Sequence, residues 1–154
     1  MSEQHQSYPD LARLRVGDAM HVGLISCPPD ASLRTVARMM ATNRVHAILV
    51  TAHGEDALPA GRPWGIVSDV DLLHASRVGD LDSQPSQSIA ATPTPTVLTT
   101  DELGRAAELM QERGISHLVV VEPRSTRPIG VLSTLDIARA LAGFPERHPF
   151  HPER

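Results

Sequence analysis

Aromatic side chains are scarce: one Trp, one Tyr and two Phe in 154 residues. A core therefore has to be built from Val, Leu, Ile, Ala and Met, which an apolar content of 41% allows. Cysteine is nearly absent as well. The one thiol, Cys27, excludes an intrachain disulfide framework and points to a cytoplasmic setting. With no partner at metal-ligand spacing, it reads as a small core residue. No apolar run approaches the roughly 20 residues of a membrane span, and the polar residues from Met1 to Ser7 lack a signal-peptide core. Excess positive charge is missing too. A net charge of −4 gives no electrostatic reason to expect nucleic acid or an anionic membrane as partner. There is no Gly-Lys-Ser/Thr loop, nucleophile elbow or carboxylate pair with a base, so no catalytic residue is assigned and the chain is not read as an enzyme. His148 and His151, near the chain end, are expected to face solvent, and no metal site is assigned.

What the chain does have is a repeat. Gly65-Ile66-Val67-Ser68-Asp69-Val70-Asp71 returns as Gly130-Val131-Leu132-Ser133-Thr134-Leu135-Asp136, and Gly, Ser and Asp all recur at an offset of 65. Arg62-Pro63 and Arg127-Pro128 precede the two copies. Upstream, Leu33, Val36, Ala37 and Met40 form the apolar face of a helix that stops near Asn43. Leu103, Ala106, Ala107 and Met110 repeat that face at an offset of 70, with Gly114 as a left-handed stop. The change of offset places five extra residues in the first hairpin loop, Ala52–Arg62, where an indel is best tolerated.

Each half then reads strand–helix–strand–strand–helix. The first has a short run Leu24–Cys27, a helix from Leu33, a buried strand Val45–Thr51, a returning strand Pro63–Val67 and a helix from Ser68 to about Arg77. The second has Thr96–Leu98, a helix opened by Thr99-Thr100-Asp101, a strand Ile115–Val121, a return Ile129–Leu132 and a helix from Ser133 to about Ala142. Val16-Gly17-Asp18-Ala19-Met20 leads into the first repeat and Ser88-Ile89-Ala90-Ala91 into the second. A mixed α/β, α+β fold is expected, with repeats over 9–80 and 86–142 and flexible tails at 1–8 and 144–154. Neither repeat alone is expected to hold much core, so the two should pack sheet to sheet with pseudo-two-fold symmetry.

On these residues the chain resembles a stand-alone tandem pair of CBS domains, a Bateman module. The resemblance spans about residues 16 to 142 and is carried by Val16–Met20, Ser32-Leu33, Glu102-Leu103, Ile115–Val121 and the doubled Gly-x-x-Ser-x-x-Asp. It implies a regulatory module that binds an adenosine-containing ligand such as AMP, ADP, ATP or S-adenosylmethionine, with no cofactor required. Asp71 and Asp136 would accept from ribose hydroxyls, with Ser68 and Ser133 beside them. Val45-His46-Ala47, Ile115-Ser116-His117, Ser26 and Thr96 would flank the base or phosphates. The resemblance also implies a homodimer through the exposed sides of four helices, and an effector protein that reads the bound state. The alternative is a ligand-free stress-response or interaction module of the same fold.

Elementary chemistry supports the same residues. An ionised carboxylate accepts only and can take both hydroxyls of a diol. A helix N-terminus offers unpaired N–H groups to phosphate. Gly65 and Gly130 let a ligand or a neighbouring backbone come close. Ser-x-x-Asp has a second reading as a helix cap in which Asp reaches back. His46 and His117, in apolar strands, read more often as hydrogen-bonded core residues, and Arg44 and Arg113 more often as solvated rim charges than as phosphate ligands.

Overall fold

The computed structural model describes residues 11–51, 65–90, 95–125 and 127–143. Among them the chain forms α1 (Val16–Ala19), β1 (His21–Val22), β2 (Ser26–Cys27), α2 (Leu33–Asn43), β3 (Ala47–Val50), β4 (Gly65–Ser68), α3 (Asp69–Val78), β5 (Thr96–Leu98), α4 (Leu103–Arg113), β6 (His117–Val121), β7 (Pro128–Ser133) and α5 (Thr134–Leu141). The fold is mixed α+β, and strand–helix–strand–strand–helix occurs twice. The tails, Ala52–Trp64 and Ala91–Thr94 lie outside the described residues, so the readings placed there stand as expectations.

The chain divides into two compact units that do not coincide with the contiguous repeats. One is Leu24–Thr94; the other joins Met1–Gly23 to Pro95–Arg154. The first holds the sheet β2-β3-β4 and the second the sheet β1-β7-β6-β5, with β1 antiparallel to β7. Each repeat's leading segment is docked on the other repeat's first helix. Val16 and Gly17 donate to the carbonyls of Asp101 and Thr99, each at 2.9 Å, and Leu103 N–H donates to Leu14 at 2.9 Å. Seventy residues on, Ser86 and Gln87 donate to Ala31 and Pro29 at 2.7 and 3.0 Å, and Leu33 N–H donates to Gln84 at 2.9 Å. The leading segment of the second repeat thus opens as a 3-10 turn over Ser86–Ser88, earlier than the Ser88 start expected.

Each unit has its own buried cluster. Val16, Met20, Val97, Leu103, Ala106, Met110, Leu118 and Leu132 belong to one buried cluster. Cys27, Val36, Met40, Ile48, Val50 and Val67 form a separate one inside the other unit. The helical faces read from sequence supply both, since positions three and four apart point to the same side.

Helix ends follow local chemistry. Ser32 caps α2 by accepting from Thr35 N–H at 3.1 Å. Asp101 does not cap α4 as expected: its carboxylate accepts from Leu98 N–H at 2.8 Å, and Glu102 stands at the cap position without a side-chain capping bond, its carboxylate 3.7 Å from Arg15. Gly114 ends α4 at φ 60° as expected, whereas its counterpart ending α2 is Arg44 at φ 55°, a left-handed conformation that disfavours a side chain.

Cys27 is buried, and burial pushes its thiol up from the ordinary value, the Ser86 hydroxyl opposing and Asp30 adding. A thiol whose folded pKa is raised favours the folded state below its unfolded value and loses that contribution as pH rises through it. We expect the native chain to react slowly with a thiol reagent at pH 8 and rapidly in urea. Native stability should fall above about pH 8.5, and Cys27→Ala should remove that alkaline decline; fast native labelling would contradict this burial.

Gly130 sits opposite Val22 of β1 and Val120 of β6. A Cβ there would overlap the His21 carbonyl oxygen and the Met20 side chain. Gly130→Ala should lower stability by about 1–3 kcal/mol in a urea melt, and a variant as stable as the parent would show that β1 does not need this contact.

Candidate functional site

Pleat alternation divides the expected site residues from the core. In the sheet β2-β3-β4, Cys27, Ile48, Val50 and Val67 face the unit's own helices, so Ser26, Ala47, Leu49, Ile66 and Ser68 lie on the opposite face. Ala47 pairs with Ser68, and Ser26 pairs with Leu49, two residues along β3. Val45 and His46 lead into this end, where the His46 carbonyl accepts from Asp69 N–H at 2.9 Å. Ser68, His46, Ala47 and Asp71 therefore gather around the start of α3, with Val45 next to them in the chain. Gly65 does not join them. It pairs with Val50 at the far end of β4, about 10 Å from Ser68.

The other unit repeats the layout. His117 pairs with Ser133, Thr96 with Val119, and the Ser116 carbonyl accepts from Thr134 N–H at 3.0 Å. Ser116 and the ring of His117 are bonded at 2.9 Å, and Ile115 packs partly buried against the core. Gly130 is three residues from Ser133 on β7, and the close approach it permits is that of the neighbouring strand's backbone. Of the two readings of these glycines, a close ligand or a close backbone, Gly130 shows the second; Gly65 stands in register with Val50.

Both Ser-x-x-Asp copies close a capping box. Ser68 N–H donates to Asp71 Oδ2 at 2.8 Å, and Asp71 N–H donates to Ser68 Oγ at 3.2 Å. Ser133 and Asp136 make the same two bonds at 2.8 and 3.3 Å. The carboxylates are fixed by this cap, which does not use all of their lone pairs. Asp71 is half-buried, and among the described residues its Oδ1 has no partner. Asp136 is 2% exposed and meets the imidazole of His21, with Nδ1 3.0 Å from Oδ2 and 2.9 Å from Oδ1. The hydrogen bond is directed to Oδ2; Oδ1 is buried with no hydrogen-bond partner.

The start of α3 is not the open anion site that a helix N-terminus suggests. Asp69 N–H donates to the His46 carbonyl, Val70 N–H to Asp69 Oδ1 at 2.9 Å and Asp71 N–H to Ser68 Oγ. Two carboxylates also occupy this first turn, and they already complement the helix dipole. The geometry suits hydroxyl donors better than a phosphate. Asp69 holds the exposed His46 ring at 3.0 Å, a surface pair of small worth. Arg44 and Arg113 are exposed at the ends of α2 and α4.

Among the described residues no group of three His, Cys, Asp or Glu side chains is placed to hold a metal, and no helix is long and apolar enough to cross a membrane. His21 is the residue that sequence reasoning missed. It stands just past the expected leader, and nothing local signals that it will reach a carboxylate 115 positions away.

Comparison with known proteins gives the same topology a family. The CBS domain family matches residues 16–78 and 86–143. CBS domain protein PAE2072 from Pyrobaculum aerophilum, solved in complex with AMP, is 36% identical over 84% of this chain and 95% of its own, with a TM-score of 0.67. The CBS domain pair of protein MJ0100, solved with 5-methylthioadenosine and S-adenosyl-L-methionine, is 19% identical over 84% and 96%, with a TM-score of 0.70. A hexameric CBS-CP12 protein from bloom-forming cyanobacteria is 19% identical over 81% and 69%, with a TM-score of 0.72. No curated protein matches the chain. The chain belongs to the CBS domain family and carries the repeat twice, in tandem.

Proposed function

We propose that this chain is a regulatory, non-catalytic CBS pair that binds an adenosine-containing ligand and passes its bound state to a partner protein. The observation that carries the reading is Asp71, a half-buried carboxylate fixed by its cap to Ser68, the residue that pairs with Ala47, and with a second oxygen that has no partner among the described residues. A vicinal diol can donate to such a group. The relative solved with AMP, at 36% identity, supports the same ligand class. Because the first amides of α3 are engaged, the nucleoside part supplies the recognition at this turn. The module signals only if ligand binds two of its states unequally. A cytoplasmic location suits a chain with one buried thiol and net negative charge.

Self-association is part of this proposal. Val70 and Leu73 of α3 and Leu135 and Leu141 of α5 are exposed large hydrophobics, and a second copy of the chain is the partner we assign to these helices. Light scattering should give twice the chain mass for the parent and the chain mass for Leu73→Glu. An unchanged mass in that variant would remove α3 from the interface.

A thermal-shift and calorimetric panel of AMP, ADP, ATP, S-adenosylmethionine and NAD tests the ligand. At 100 times its dissociation constant a ligand stabilises the native state by about 2.7 kcal/mol. Asp71→Asn keeps an oxygen for the cap but replaces the second acceptor by an amide, so it should lose most of the shift. If no member of the panel moves the parent, the sensor reading falls and a ligand-free interaction module takes its place.

A further inference from the structure

The two copies of the motif have one local geometry and two different environments. In both, Ser N–H donates to Asp Oδ2 at 2.8 Å. Around Asp71 the described residues add nothing further, and the carboxylate is half open. At Asp136 the same oxygen also receives the Ser133 hydroxyl at 3.0 Å and His21 Nδ1 at 3.0 Å. Since an ionised carboxylate only accepts, Nδ1 is the ring nitrogen that carries the hydrogen. With Oδ1 2.9 Å from the same Nδ1, the imidazole spans both oxygens, and 2% exposure leaves no approach for a diol.

His21 is held there by backbone rather than by chance of rotamer. It pairs with Val131 and its neighbour Val22 with Gly130, the position where the missing side chain admits the His21 carbonyl. The segment before β1 is anchored in turn by Val16 and Gly17 on Asp101 and Thr99. At the corresponding point ahead of the second repeat, 70 residues on, the sequence has Ala91, whose side chain carries no hydrogen-bond donor.

We infer that the chain binds one adenosine ligand rather than two: the Asp71 site takes it, and His21 fills the Asp136 site with the chain's own imidazole. This rests on the nucleotide reading above and says which copy of the motif serves it. A ligand at Asp136 has to displace a donor that two strand pairings hold in place. Removing the ring opens that carboxylate to a diol.

The experiment counts AMP per chain by calorimetry. The parent should bind one, Asp71→Asn should bind at least tenfold more weakly, and His21→Ala should bind two. His21→Asn, whose amide nitrogen can stand where Nδ1 stands, should bind one. Two AMP per parent chain, or a single site indifferent to Asp71→Asn, overturns the inference while leaving nucleotide binding intact. If His21→Ala does not fold, the parent count and its response to Asp71→Asn decide. If AMP and adenosine bind neither the parent nor a folded His21→Ala, the nucleotide reading itself fails and this one with it.

Discussion

Each repeat is completed by a short leading segment that precedes the other one, through backbone bonds that recur with a spacing of 70 residues: Val16 on Asp101 and Ser86 on Ala31. These bonds are made by main chain, so they tolerate a change of side chain from Val16 to Ser86, both fully buried. Ser86 answers its burial by donating its hydroxyl to the carbonyls of Pro28 and Pro29 at 2.9 and 3.0 Å, as a buried polar group must. From the first of these dockings follows the placement of β1 against β7, and from that the need for glycine at position 130. The position of the His21 ring over Asp136 is the last consequence of the same contact. Backbone pairing thus reaches the chemistry of a carboxylate through three steps of packing.

Much of this was legible in the sequence, because period and spacing report on local structure. The helical faces from Leu33 and Leu103, the strands they lead to and the left-handed stop at Gly114 follow from patterning and from the steric freedom of glycine. The doubled Gly-x-x-Ser-x-x-Asp closes a capping box at both positions, as the reading of that motif as a cap implies. What spacing does not encode is which segments meet across the chain. A repeat read as contiguous hides the exchange of leading segments, since docking depends on backbone groups that every residue carries. Gly65 and Gly130 look equivalent in sequence, yet the close approach at Gly130 is that of a strand whose paired residue, Val22, lies 108 positions upstream.

The same limit applies to charge. Asp71 and Asp136 share residue type, cap and position on a helix, and their solvent exposure differs because of what else is packed on them. A carboxylate that serves as a cap keeps lone pairs for another donor. Whether that donor is a ligand or the protein's own imidazole is decided outside the motif. Arg44 makes a related point, since a left-handed stop filled by glycine in one repeat is filled by arginine in the other at some conformational cost.

The pairing of β1 with β7 also orders events in time. His21 leaves the ribosome 110 residues before Val131, its partner in the ladder. The intervening unit, Leu24–Thr94, is contiguous and can assemble while the earlier segment still waits. The other unit is therefore closed only when an earlier segment meets one made 110 residues later, a long-range contact of the kind that slows folding because loop closure comes before its reward.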